Sequence, residues 1–328
     1  MRKAKIAVIN PELADGLART VIDGLFQMSK DGSADFRLSS RFKYSLSVDD
    51  KVMPQKEFME YAKDADCIFL IYCQYGFGQA LAEKIGLWEK TVFIDGSELG
   101  KNNRLDFSIQ NKVIENGGYL NDPVDRKMLA KCAAHFKREK PYFAGAIPLP
   151  FGIESKYIKY QEGKTVKDID FFCVFGQDEY PLLRRFAREQ LEKFCKREGF
   201  TFHTEKTSSN EEFYLLLARS KVGISVGGGG YDSMRFWEIL ANDCLLLTER
   251  IDIYEPGSKR LDYERIWQFN NLFDLTDLLM KMGNILKSSY KIDDLQGEYV
   301  KILKDHSSEA RVKEILDVCN KKGIIKSL

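Results

Sequence analysis

Histidine occurs only three times in the 328-residue chain, at positions 135, 203 and 306, too scattered to suggest a metal site. Proline is also scarce, with 8 residues against 24 glycines, and no tract is biased enough to specify a long disordered segment. No run approaches the roughly 18 apolar residues needed to cross a bilayer. The short apolar stretch after Met1-Arg-Lys-Ala-Lys is too brief for the core of a signal peptide. The 7 cysteines are odd in number and widely spaced, which argues against a disulfide framework and for a reducing cytoplasm. With 50 Lys and Arg against 49 Asp and Glu, the net charge of +1 gives no general footprint for nucleic acid or an anionic membrane. Polyanion binding would need a local patch.

What the chain does have is an alternation of short apolar runs with amphipathic stretches. Residues 5–9, 66–72 and 91–94 are apolar and rich in β-branched residues, and residues 17–26 and 79–85 between them carry helical spacing. Continuous apolar strands separated by helices imply a parallel sheet covered on both faces. A proline-marked stretch at 142–152 and a charged one at 154–170 interrupt the rhythm. It then resumes with strands at 170–175, 200–203, 222–226 and 244–248 and helices at 181–198, 211–218 and 234–240. Helices at 272–286, 295–304 and 309–321 complete the chain. The length suits two α/β domains of about 150 residues each, placed at 1–147 and 148–328.

Gly227-Gly-Gly-Gly-Tyr-Asp-Ser233 lies between a strand and a helix. Glycine lets a ligand approach the backbone, and the helix N-terminus presents unpaired N–H groups with the positive end of its dipole, so the segment suits a phosphate. A plain strand-to-helix connection is the alternative. The Gly-Lys-Ser/Thr of a P-loop is absent, and so is an N-terminal dinucleotide fingerprint. Arg235 and Glu238 share a face of the following helix, where a guanidinium can pair with phosphate and a carboxylate can accept both hydroxyls of a ribose. A simple intrahelical ion pair on a solvated face would have the same spacing.

The segment 227–249 as a whole, with Met234-Arg-Phe-Trp-Glu-Ile-Leu-Ala-Asn-Asp-Cys-Leu-Leu-Leu-Thr-Glu249 after the glycines, resembles the donor-site segment of GT-B glycosyltransferases. The likeness is strongest to the spore-protein-like branch of the glycosyl transferases group 1 superfamily. It implies two Rossmann-like domains with parallel sheets facing across a cleft, the first on the acceptor side and the second holding the nucleotide. It further implies that Glu238 holds the ribose hydroxyls and that Arg235 stands near the diphosphate. Gly228, Gly229, Gly230, Tyr231, Asp232, Ser233 and Met234 would line the donor. Phe172-Cys-Val-Phe-Gly176 with Arg184 and Arg185 is similar to the first strand and loop of the nucleotide domain, where basic residues contact the diphosphate. Ile147-Pro-Leu-Pro-Phe-Gly-Ile153 is similar to the interdomain linker, and Asp305-His-Ser-Ser-Glu-Ala-Arg311 to the terminal helix region, with the last helix, about 308–328, packing back on the first domain. Many retaining members carry a second glutamate eight residues before the ribose-binding one; that position here is Gly230, so the stereochemical outcome is left open.

The expected activity is transfer of a hexosyl or pentosyl group from a UDP- or GDP-type sugar to a glycan, surface-polymer, protein or modified nucleic-acid acceptor. The nucleotide sugar is a co-substrate, and neither a cofactor nor a metal is expected. A nucleotide-sugar epimerase, another nucleotide-dependent α/β enzyme, or a non-catalytic binding protein on the same fold are the competing readings. For a catalytic base, acids directly after a parallel strand project at the carboxyl edge where α/β ligands bind; Asp95 is the first candidate and Glu98 the second, although Asp95 beside Gly96 also suits a turn. Asn10 and the Gln74-Tyr-Gly-Phe-Gly78 loop would line the same edge. His135-Phe-Lys-Arg-Glu139 alternates as a short strand approaching the linker would; Lys137 or Arg138 could reach the cleft, with surface-facing cations the favoured reading. Lys156, Tyr157, Lys159 and Tyr160 form a basic and aromatic cluster to which no role is assigned.

Overall fold

The computed structural model describes residues 3–13, 16–43, 47–72, 78–98, 124–139, 145–161, 165–176, 182–251, 253–255 and 257–325. The first sheet is built from β1 (Ala4–Ile9), β2 (Ala34–Leu38), β3 (Cys67–Tyr72), β4 (Thr91–Asp95), β5 (Ala134–Lys137) and β6 (Ala146–Pro148). Its order is β2-β1-β3-β4-β5-β6, and every pair is parallel. Helices α1 (Gly16–Lys30), α2 (Gln55–Asp64), α3 (Gln79–Ile85) and α4 (Arg126–Lys131) connect its strands. The second sheet comprises β7 (Ile169–Phe172), β8 (Phe202–His203), β9 (Ser220–Ser225), β10 (Leu245–Glu249) and β11 (Ile266–Phe269), in the order β11-β10-β9-β7-β8 and again all parallel. Around it lie α5 (Leu182–Glu198), α6 (Asn210–Ala218), α7 (Met234–Ala241), α8 (Leu272–Ser288), α9 (Gln296–His306) and α10 (Ser308–Lys321).

Interior strands such as β3, β4 and β10 are largely apolar because helices cover both faces, which is why they stand out in the sequence. Of the strands that the apolar runs do not announce, β2, β6 and β11 lie at sheet edges, while the interior β5 carries the buried polar residues His135 and Lys137. In β2 only Ala34, Phe36 and Leu38 are buried, while Asp35 and Arg37 are half-exposed, so no continuous apolar run forms. β6 is three residues long and ends in Pro148, whose missing N–H is tolerated at an edge.

Past β6 the chain runs through a buried connection, Leu149, Phe151 and Ile153, held from two sides. Asp23 of α1, itself buried, accepts hydrogen bonds from the Ser155 N–H (2.9 Å), the Ser155 hydroxyl (2.6 Å) and the Ser308 hydroxyl. At the start of α10, Ile153 N–H donates to the His306 carbonyl (2.7 Å) and Ser308 N–H donates to the Ile153 carbonyl (2.9 Å). The fully buried Arg311 donates to the Phe151 carbonyl (3.1 Å) and the Tyr254 hydroxyl (2.9 Å). One apolar core follows this connection from Ile6, Val21 and Phe36 through Phe151 and Tyr157 to Trp237, Leu240 and Leu246, and takes in Val312 and Ile315 of α10.

Helices α1 and α10 cross at Gly24, where a Cβ would lie 2.3 Å from the Ser308 carbonyl oxygen. Substitution Gly24→Ala is expected to force the helices apart and to lower the unfolding free energy by about 1–3 kcal/mol, as overpacking does, measured by urea denaturation.

Candidate functional site

Loop 226–233 leaves the carboxyl end of β9 and enters α7, where the Ser233 side chain caps the helix by accepting from Arg235 N–H (3.3 Å). Two carboxylates pin its ends. Glu249 accepts from the Gly227 N–H (2.5 Å), and Glu139, from the first sheet's side of the cleft, accepts from the Asp232 N–H (3.0 Å). The N–H groups of Gly228, Gly229 and Gly230 at the apex make no hydrogen bond among the described residues. Arg184 of α5 lies against this apex: its guanidinium is 2.9 Å from where a Gly228 Cβ would be, and its Nε donates to the Val226 carbonyl (3.1 Å). Consecutive unpaired N–H groups beside a guanidinium form an anion site. The absence of side chains here is enforced, since a Cβ at Gly229 would meet Glu98 at 2.2 Å and one at Gly230 would meet Glu139 at 2.0 Å.

One turn into α7, Glu238 is nearly buried. Its Oε1 accepts from the Tyr214 hydroxyl (2.8 Å) and its Oε2 pairs with Arg235. The Arg235–Glu238 pair does form, but with side chains only 17% and 11% exposed it lies in the wall of the cleft and not on a solvated face. Arg235 also donates to the Val174 carbonyl at the end of β7 (3.0 Å) and stacks over Phe213 (3.9 Å). It therefore fixes the orientation of Glu238, and the cation placed at the glycine apex is Arg184.

Across the cleft, the two candidate bases have different surroundings. The Asp95 carboxylate is 3% exposed, accepts from the N–H (2.9 Å) and hydroxyl (2.6 Å) of Ser97, and stands 3.6 Å from Lys137 and 3.7 Å from His135. Burial pushes its pKa up, but Lys137, the neighbouring His135 and the Ser97 hydrogen bonds outweigh this and hold it below the ordinary carboxylate range. It organises the turn after β4. Lys137, fully buried, donates to the Ser97 carbonyl (2.5 Å), and desolvation lowers its pKa. The Glu98 side chain is 42% exposed and reaches the glycine apex. The geometry thus reverses the ranking of these two acids: Glu98 is the carboxylate that faces the cleft.

Arg138 is buried as well, against the sequence expectation of a surface cation. It donates to Glu98 (3.2 Å), Glu139 (3.0 Å), the Gly96 carbonyl (3.3 Å) and, from the other side of the cleft, the Asp232 carbonyl (3.2 Å). Its guanidinium also lies 4.3 Å over the Phe151 ring. Glu139, fully buried and at φ 63°, adopts a left-handed conformation uncommon outside glycine. Its carboxylate fills the volume that a side chain at position 230 would occupy.

The remaining residues singled out in the sequence divide as follows. Gly176 is exposed, Tyr231 is half-buried, and the Met234 sulfur accepts from Arg19 of α1. Arg185 pairs with Glu189 on its own helix at 3.5 Å. Asn10 is buried in a turn with Ser39 and Ser40. Residues 74–77 lie outside the described residues. Two Asp-x-Asp triplets, Asp64-Ala-Asp66 and Asp168-Ile-Asp170, stand at the amino ends of β3 and β7, opposite the edge that carries the loop. Asp168 is paired with Arg219 and Asp170 with Lys221.

Asp232 links the loop to the rest of the cleft. Its carboxylate accepts from the Phe151 N–H (2.6 Å) and the Trp237 indole N–H (2.8 Å). Burial dominates Arg138 and these hydrogen bonds and raises its pKa from 3.8 to about 6. Folding therefore favours the protonated form. The associated stability is complete below about pH 4 and is lost as pH rises through about 6, a change of about 3 kcal/mol for the shift cited. The stability difference between the native chain and Asp232→Asn, followed by urea unfolding at about pH 4 and about pH 7, is expected to fall by that amount at the higher pH.

No protein-family model matches the chain, and no curated protein matches it in sequence. In three dimensions it is similar to a glycosyltransferase from Rickettsia africae ESF-5, with a TM-score of 0.58 at 12% identity, covering 98% of this chain and 99% of that one. It is also similar to an alpha-glucosyltransferase solved in complex with UDP-glucose and DNA containing an abasic site, with a TM-score of 0.56 at 11% identity and coverage of 96% and 98%. Identity at this level establishes the fold alone: the chain has the two-sheet α/β architecture of GT-B proteins.

Proposed function

We propose that this protein is a metal-independent glycosyltransferase whose donor is a nucleoside-diphosphate sugar of UDP or GDP type. The observation that carries the reading is the apex of loop 226–233, where three glycine N–H groups without a partner among the described residues lie beside the Arg184 guanidinium and the buried Glu238 carboxylate follows one turn into α7. A diphosphate on the apex places the adjoining ribose toward Glu238. The known complex of the similar alpha-glucosyltransferase with UDP-glucose supports a donor of this class.

Breaking the glycosidic bond to the nucleotide leaves negative charge on the diphosphate. Fixed N–H dipoles and a guanidinium stabilise that charge without reorganisation, which is the task a metal performs elsewhere. Glu98, held by Arg138 within reach of the apex, is the base that takes the proton of an acceptor hydroxyl. Asp95 and Glu139 are too buried to meet an acceptor; they shape the turn and the loop on which Glu98 and the donor act.

UDP or GDP is expected to raise the melting temperature in the presence of EDTA, since a ligand at about 100 times its Kd adds about 2.7 kcal/mol. Glu238→Ala should lose most of that shift. If no nucleotide stabilises the protein, or Glu238→Ala responds as the native chain does, the donor assignment is wrong. Glu98→Gln is expected to keep the nucleotide shift while slowing sugar transfer by about 10²–10⁴-fold, the range for a lost general base; unchanged turnover would remove Glu98 from the role.

A further inference from the structure

The basic and aromatic cluster at 156–160 faces a cavity of about 690 Å³ between the two halves of the molecule. Arg19 and Lys43 enter it from the first half, Lys156, Lys159 and Tyr160 from the connection, and Tyr214 from α6. Four basic side chains thus share the space with one acid, Glu211. The buried Glu154 beneath them pairs with Arg19 (3.2 Å) and Lys156 (3.3 Å), which fixes those two side chains. Lys43 and Lys159 pair with no carboxylate among the described residues. Among the described residues, basic side chains therefore outnumber acidic ones around this cavity, in a protein whose overall charge is balanced. Tyr160 is half-buried and stacked on Tyr214, with ring centroids 6.1 Å apart and planes 11° apart, so one wall is a flat apolar surface.

We propose that this cavity binds the phosphate group of a phosphorylated acceptor, a sugar phosphate whose ring lies against Tyr160 while its phosphate meets Lys43, Lys159, Arg19 and Lys156. The volume is within the roughly 300–1,000 Å³ of small-molecule sites, and paired ammonium and guanidinium donors are strong phosphate partners. The assignment of the ligand as acceptor rests on the transferase reading; the binding site itself does not. Tyr214 connects the two, because its hydroxyl donates to Glu238, so the cavity adjoins the donor side chain. Since its wall is drawn from both halves of the chain, occupancy also stabilises their mutual arrangement.

The test is isothermal titration of the full-length protein with glucose 6-phosphate, and separately with inorganic phosphate, at about 0.05 M ionic strength to limit screening, with and without saturating UDP. Three proteins are compared: native, Arg184→Glu, and the double variant Lys43→Glu/Lys159→Glu, whose altered residues are exposed. Glucose 6-phosphate should bind more tightly than inorganic phosphate and should bind with UDP present. Its affinity should be unchanged in Arg184→Glu and weaker by roughly tenfold or more in the double variant, the loss expected for removing charged hydrogen-bond donors. Equal affinity for the double and native proteins, displacement of the probe by UDP, loss of binding in Arg184→Glu alone, or no binding of either probe each overturns the proposal. Failure of the donor reading looks different: UDP produces no signal in any protein, while the probe titrations without UDP still report on the cavity.

Discussion

A guanidinium taken out of water must find its hydrogen-bond acceptors inside the protein, and for Arg138 they come from both halves of the chain. Glu98, Glu139 and the Gly96 carbonyl belong to the first sheet's side and the Asp232 carbonyl to the second. Desolvating such a charge costs several kcal/mol, recovered only when all the partners are in place. The two terminal nitrogens of Arg138 thereby tie the two sides together across the glycine loop, while its buried Nε has no partner among the described residues.

The same set of contacts shapes the candidate site. The carboxylate that steadies Arg138, Glu139, also pins the far end of the loop, and the residue it pins, Asp232, extends to Phe151 and Trp237. Glu98 is aimed at the loop apex by its bond to Arg138. Orientation of the proposed base, the shape of the glycine loop and the seating of the connection after β6 are therefore coupled through one buried network. Such networks strengthen when complete and are costly when one member is removed.

The sequence revealed the parts of the fold with one strong pattern. Interior strands buried on both faces read as apolar runs, so the two-sheet architecture and the elements around loop 226–233 were legible. Edge strands such as β2, with polar residues alternating into solvent, were not. In the site, Glu238 and the glycine loop were legible because they follow each other along the chain. The cluster of Arg138, Glu139 and Glu98 was not, because nothing local in His135-Phe-Lys-Arg-Glu139 distinguishes a surface cation from one whose acceptor lies 94 residues away at Asp232. Asp95 looked catalytic from its place after a strand; only the positions of Lys137, His135 and Ser97 reveal its turn-forming role. The cluster at 156–160 gained meaning once Arg19 and Lys43, far upstream, were seen to face it.

The crossing of α1 and α10 at Gly24 also bears on how the chain is made. Val21, Ile22 and Leu25 of the first long helix are covered in part by Val312, Ile315 and Leu316 of the last. During synthesis, domains generally fold as they emerge, yet here the cover of α1 is completed only when α10, more than 270 residues downstream, has been made. Until then the apolar face of α1 that Val312, Ile315 and Leu316 cover is left open, so the first sheet and its first helix are not a self-sufficient folding unit.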